Sequence, residues 1–276
     1  MILFLIHILL SLLLTYFGFV IVNPTTNTFI LIIILVGLFA LSLLIVAFLA
    51  IIFFIISYII AGKKNPKGMF KHRLMTLYSR YVYNVILRVK VKVIGRENLP
   101  KDNNFVIFSN HIEYTDPIYI KQVFSRYPVA FISKQALFEI PIAKLVLEGI
   151  GCIPISRVAD RSALNSIVEG IKIVKSGQPI GIFPEGTRSY SHQTREFKSG
   201  SFKLATKAKA NIVPVCLYNV HETLRKGRIG IAKITFVILP SITEAVYKDM
   251  DTSDLSIMVR KMIDDSLSNL EKNNQK

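Results

Sequence analysis

Residues 105–117 read Phe-Val-Ile-Phe-Ser-Asn-His-Ile-Glu-Tyr-Thr-Asp-Pro. Four apolar, strand-favouring residues lead into a short polar turn. That turn ends in Asp-Pro, a pairing that starts helices because Asp caps free amides and proline's fixed φ suits the first turn. The stretch predicts a strand, a loop and a helix start. It also predicts chemistry, since His111 would end the strand and Asp116 begin the helix. Four residues separate the two. A loop of that length can fold back so that the carboxylate accepts a hydrogen bond from one ring nitrogen. The other nitrogen is then left to take a proton from an incoming hydroxyl. This is the base and orienter of a serine hydrolase triad, with a substrate alcohol in place of the serine. Taken alone, Asp116 is also an ordinary helix cap and His111 an ordinary loop histidine.

Further runs rich in Val, Ile and Phe occur at 91–94, 129–132, 152–155, 180–183, 212–217 and 231–239. Each is a strand candidate. Between them lie helical patterns, the clearest with Leu164, Ile167, Val168, Ile171 and Val174 on one face before Gly177 and Pro179 stop it. Another helix is expected from about Ser253, carrying Leu255, Val259, Ile263 and Leu267, with a polar tail that frays. Strands alternating with helices predict an α/β domain with a mostly parallel sheet flanked by helices.

The chain has 276 residues and a net charge of +16, but the charge is confined to one part. Residues 1–62 contain no Lys, Arg, Asp or Glu. They hold two apolar runs, 1–22 and 29–61, joined by Asn23-Pro24-Thr25-Thr26-Asn27-Thr28. Both exceed the roughly 20 residues that span a bilayer, which predicts an N-terminal transmembrane helical hairpin. A cleaved leader fits the first run less well, because a positive n-region and a small-residue cleavage site are missing. The 63–101 stretch then carries eleven cations against Glu97 alone. By the positive-inside rule it sets an integral cell-membrane protein with its catalytic domain on the cytosolic face. Residues 63–89 are read as a basic amphipathic helix on an anionic membrane surface, although a core-packed helix fits the same spacing. The remainder divides into a catalytic domain at 90–250 and a C-terminal helix and tail at 251–276. Nucleic acid explains the charge poorly, because the cations cluster beside the anchor without a recognition motif. Cys152 and Cys216 form neither a CxxC pair nor a zinc spacing.

Three further segments carry candidate binding residues. Phe183-Pro184-Glu185-Gly186-Thr187-Arg188-Ser189 follows a strand candidate. Gly186 allows a close backbone approach there, and Arg188 offers a planar fork for phosphate. The same residues also read as a plain turn. Gly151-Cys152-Ile153-Pro154-Ile155-Ser156-Arg157 and Ile212-Val213-Pro214-Val215 pass individually as bent strands.

In this order behind a hydrophobic anchor, the four segments resemble the four blocks of the glycerolipid acyltransferase family. The Asn-His-x4-Asp and Phe-Pro-Glu-Gly-Thr-Arg-Ser blocks are diagnostic, and Gly95-Arg96-Glu97-Asn98-Leu99-Pro100 is similar to the family's lead-in. The resemblance implies transfer of a fatty acyl group from a thioester on acyl carrier protein or coenzyme A to the free hydroxyl of lysophosphatidate in the bilayer. The product would be phosphatidate, and no cofactor or metal is expected. By position it implies that His111 is the general base and Asp116 its orienter. Glu185, Gly186 and Thr187 fall in the acceptor block, and Arg157 and Arg188 match arginines that hold phosphate. Lys134, in Ser133-Lys134-Gln135-Ala136-Leu137-Phe138, resembles a further phosphate contact, and Lys198 is a weaker one of the same kind. After the histidine, Ile112-Glu113-Tyr114-Thr115 departs from the family's small polar residues, which loosens the assignment of the acceptor.

Rival chemistries lack parts. There is no Gly-x-Ser-x-Gly elbow for a hydrolase, and both cysteines sit in apolar strand candidates. His111, Glu113 and Asp116 lack a second ligand cluster for a metal. The other readings are acylation of glycerol 3-phosphate or a different lysophospholipid, and a membrane scaffold with an inactive domain.

Overall fold

The structure, a computed structural model, describes residues 2–22, 28–62, 65–156 and 161–274. It divides into two compact units, residues 1–62 and 63–276, and each is described by itself.

The first unit is a pair of helices, α1 (Ile2–Val22) and α2 (Thr28–Ala61). Both are long and apolar enough to cross a membrane. Several of their polar atoms find partners within the pair, although Ser11 Oγ is buried without one. Thr15 Oγ1 lies 3.1 Å from Ser42 Oγ, and His7 Nε2 lies 3.2 Å from the Leu43 carbonyl. At 34 residues, α2 is about 50 Å long, more than an upright span requires.

The second unit is built on a seven-stranded sheet in the order β1-β7-β6-β2-β5-β3-β4. The strands are β1 (Val89–Ile94), β2 (Phe105–Ser109), β3 (Ala130–Lys134), β4 (Ile153–Ile155), β5 (Ile180–Ile182), β6 (Asn211–Tyr218) and β7 (Ala232–Ile238). All pairings are parallel except β6 with β7. Each strand coincides with one of the apolar runs. The sequence is continuous in apolar residues where it is central, and β2 is buried along its whole length, as expected of a strand covered on both faces.

Helices α3 (Met69–Tyr81), α4 (Asp116–Val123), α5 (Pro141–Gly149), α6 (Arg161–Lys175), α7 (Lys203–Ala208), α8 (Glu244–Tyr247) and α9 (Thr252–Asn274) complete the unit. Right-handed crossovers from β2 to β3 and from β5 to β6 run in opposite directions along the sheet. They therefore put α4 and α7 on opposite faces. The last helix runs on to Asn274 through the segment expected to fray. Ion pairs Arg260–Asp264 and Lys261–Asp265, each one turn apart, support it.

Within residues 63–89, helix α3 is shorter than expected and gives way to a π-helical turn at Val82–Ile86. It turns a different side inward from the one its apolar residues suggest. Lys71, His72, Leu74 and Thr76 are buried, while Phe70 and Leu77 remain exposed. The buried polar groups are paired. His72 Nε2 lies 2.7 Å from the Pro66 carbonyl, and its Nδ1 meets Nζ of Lys121, which also donates to the Val129 carbonyl at 2.8 Å. A carbonyl partner fixes the proton on Nε2, so Nδ1 accepts from the lysine. Burial, with the nearby Lys121 charge, lowers the His72 pKa to about 3, and burial lowers that of Lys121 to about 7.

In the unfolded chain these groups take protons at their ordinary values near 6.5 and 10.5. The unfolded state therefore binds more protons than the folded state between pH 3 and 6.5 through His72, and between pH 7 and 10.5 through Lys121. Stability rises with pH through both windows. We expect denaturation midpoints to fall as pH drops from 6.5 toward 3, and His72→Gln to flatten that slope. An unchanged slope in the variant would remove His72 as its source.

Candidate active site

The parallel strands β2, β5, β3 and β4 end on one edge of the sheet, where binding residues collect in α/β folds. His111 follows the end of β2, the 183–189 turn follows β5, and Lys134 closes β3. Lys134 is exposed and stands two strand spacings from β2, about 10 Å. The segment after β4 leads toward Arg157, which lies outside the described residues.

Asn110 fixes the end of β2. It is buried, and its amide both donates to the Leu217 carbonyl at 2.9 Å and accepts from the Leu217 amide at 2.8 Å. This two-way bond to β6 continues the sheet by one side chain. The next residue is His111. Its Nδ1 lies 2.7 Å from Oδ2 of Asp116, which has no exposed surface and opens α4. The same oxygen accepts from the amides of Ile112 at 2.6 Å and Glu113 at 2.9 Å. Burial pushes the Asp116 carboxyl above its ordinary value, and the His111 ring and these amides pull against that. The carboxylate holds Nδ1 in the protonated form. That leaves Nε2, which has no partner among the described residues, to accept a proton. The ring stacks on Phe183, with centroids 4.2 Å apart and planes at 20°.

The turn after β5 holds the histidine's main chain from both sides. Glu185 Oε1 accepts from the His111 amide at 2.8 Å, and Oε2 accepts from the Arg195 amide at 3.0 Å. Ser189 returns the bond, its amide donating to the His111 carbonyl at 2.7 Å. Glu185 is 4% exposed. Burial raises its pKa, against the two amides and the His111 charge, and the Asp116 carboxylate adds to the rise. Both Glu185 oxygens are therefore spent on backbone. Gly186 has φ +70°, and a Cβ there would stand 3.0 Å from Nζ of Lys198. The left-handed backbone is what calls for glycine here, since the atom a Cβ would crowd is the free end of an exposed lysine. Thr187 is half-buried in the turn.

Arg188 lies between two tyrosines, its Cζ 3.3 Å from the Tyr114 ring centroid and 4.7 Å from that of Tyr190. Nη1 is buried and has no partner. A cation flattened between aromatic faces keeps its in-plane donors free for an anion. Tyr114 belongs to the residues that depart from the family pattern, so that departure supplies one wall of the arginine's slot. Glu113, its neighbour, accepts from the Tyr114 amide at 3.2 Å. Further along, Thr194 ties the loop to α9 through Asp264 Oδ1 at 2.6 Å and Arg260 Nε at 3.0 Å.

Sequence reasoning assigned no role to Asn110, Phe183 and Ser189, although it quoted all three. Their roles come from main-chain bonds and ring stacking, which leave no spacing signature.

A family model described as Acyltransferase matches residues 90–218. The chain is similar to a 1-acyl-sn-glycerol-3-phosphate acyltransferase of Borreliella burgdorferi, at 36% identity over 177 residues, 63% of this chain and 70% of that protein. It is also similar to one of Chlamydomonas reinhardtii, at 37% over 140 residues, where the match spans 50% of this chain and only 42% of the relative. Its fold is similar to the crystal structure of the 1-acyl-sn-glycerophosphate acyltransferase PlsC from Thermotoga maritima, with a TM-score of 0.63 and 24% identity over 72% of this chain and 79% of that one. The family model and the Borreliella burgdorferi relative together define the class as an acyltransferase. The chain belongs to the glycerolipid acyltransferase family, and it is an enzyme.

Glu185→Gln replaces one acceptor with a donor that faces a buried backbone N–H. We expect a loss of about 1–3 kcal/mol in stability and a fall in kcat larger than any rise in KM, because the histidine is displaced while the substrate contacts remain. Thermal melting and steady-state kinetics read the two effects.

Proposed function

We propose that the enzyme moves a fatty acyl group from an acyl thioester, carried by acyl carrier protein or coenzyme A, to the sn-2 hydroxyl of 1-acyl-glycerol-3-phosphate. The product is phosphatidate, for phospholipid biosynthesis. The observation that carries the reading is the His111–Asp116 pair at 2.7 Å beside an arginine whose buried Nη1 has no partner.

Nε2 of His111 removes the proton of the acceptor hydroxyl as its oxygen attacks the thioester carbonyl carbon. Asp116 stabilises the imidazolium that results. The tetrahedral intermediate collapses with cleavage of the C–S bond, and the imidazolium returns its proton to the departing sulfur. Arg188 and Lys134 hold the acceptor's phosphate, which places the hydroxyl beside Nε2 and turns a bimolecular encounter into a positioned one. The thioester is already an activated acyl group, so the reaction as proposed calls on no cofactor. The acceptor enters from the bilayer, with the catalytic unit on the cytosolic face, consistent with the cations that follow residue 62.

His111→Ala is expected to lower kcat by about 10²–10⁴-fold, with Asp116→Asn a substantial part of that loss through the wrong tautomer. Acyl transfer that continues undiminished in purified His111→Ala would sink the mechanism. Mass spectrometry of products from lysophosphatidate, glycerol 3-phosphate and other lysophospholipids, each offered with both thioesters, assigns the acceptor and donor. A product formed from glycerol 3-phosphate in preference to lysophosphatidate would overturn the acceptor named here.

A further inference from the structure

Toward the far end of α4 from Asp116 lies a cavity of about 640 Å³ between the end of α3, the π-helical turn, β1 and α4. Along the helix, Gln122 is six residues beyond Asp116, about 9 Å away at 1.5 Å per residue. The cavity extends across the sheet toward the edge that carries Arg96 and Arg126, because β1 runs antiparallel to β2. It therefore stands apart from the His111 site.

Four cations line it, Arg80, Lys90, Arg96 and Arg126, and no acidic side chain does. None of the four makes an ion pair or side-chain hydrogen bond among the described residues, although Glu97 adjoins Arg96 in sequence and Asp102 acts on Tyr127 nearby. Exposed lysines and arginines are often no more than solvated charges. Gln122 makes this cavity different. The residue is 8% exposed and lines the cavity. Its Oε1 accepts from the hydroxyl of Tyr83, and its Nε2 is buried without a partner. A buried amide N–H left unmatched is costly, and few native groups are left so. Here the missing partner is an acceptor, the surrounding charge is positive, and the space to hold it is present. The C-terminus of α4 is a weak counter-influence, because helix carbonyls disfavour anions. Arginines, with planar forks suited to phosphate oxygens, outweigh it.

We infer that this cavity is a second anion site, separate from the catalytic one, which binds a phosphate group. That group is carried either by a lipid headgroup or by a soluble phosphate. Gln122 Nε2 donates to one oxygen, and Arg96 and Arg126 close over the others from the rim.

Hydrogen exchange of the full chain in phosphatidylcholine nanodiscs tests the site with two probes. Inorganic phosphate is added in one arm, with chloride at matched ionic strength as the control. Phosphatidylglycerol is doped into the discs in the other. Slower exchange in residues 80–99 and 119–127 with inorganic phosphate assigns a soluble ligand, and slowing only in the doped discs assigns a headgroup. In R96Q/R126Q the effective probe should bind at least tenfold more weakly, while His111→Ala retains the effect. Arg126→Glu at an exposed position serves the same purpose if the double variant does not fold. Equal slowing by chloride, no slowing in either arm, or slowing undiminished in the variants would overturn the inference.

Discussion

A carboxylate buried at a helix start must be surrounded by donors, and much of this site follows from meeting that demand. Asp116 has no exposed surface, and removing such a charge from water costs several kcal/mol unless it is bonded. One of its oxygens takes three donors, two from the loop's own amides and one from the His111 ring. The loop can supply those amides only by folding tightly back over the helix start. That fold is what brings the imidazole into line. Asp116 thus opens α4 without capping it, and its bonds go to the loop amides and the ring it orients. Each charge-assisted bond is worth about 1.5–3 kcal/mol, so the three offset the burial in part; burial still holds the carboxyl above its ordinary value and Oδ1 is buried without a partner, while the ring is left in a defined orientation.

The second constraint is on the backbone. A histidine at a strand end has a free amide and a free carbonyl once the ladder stops, and both need partners. The neighbouring strand β5 provides them through Glu185 and Ser189. This binds the two diagnostic segments to each other through the main chain of His111 and leaves Arg188 uncommitted by it. A conventional reading would give Glu185 to the substrate. Its two oxygens are already occupied by amides of His111 and Arg195, so its geometry is that of a brace.

The sheet was legible in the sequence because its central strands, buried on both faces, are written as unbroken apolar runs, while β1 and β7 at one edge alternate apolar residues with Lys and Thr and were legible from that rhythm. The His-Asp pair was legible for a related reason: a strand, a four-residue turn and Asp-Pro leave few ways for the chain to run. What could not be read depends on pairings that have no period. Helix α3 buries Lys71 and His72 because the latter has Lys121 and the Pro66 carbonyl within reach, and a pattern of apolar residues does not contain those partners. In the extension of α9 to Asn274, Glu271 likewise meets a distant partner, His192 Nδ1 at 3.2 Å, in a segment whose composition reads as polar tail.

Charge distribution finally separates two kinds of arginine in this protein. Arg188 is stacked between Tyr114 and Tyr190 with one buried donor unmatched. Such a guanidinium has paid its conformational entropy before a ligand arrives, and an oxyanion that meets it gains most of the bond energy. The exposed cations beyond α4 are not fixed in this way and must be ordered by what they bind. Preorganisation therefore belongs to the catalytic edge of the sheet, where position determines rate, and adaptable charge belongs to the opposite side.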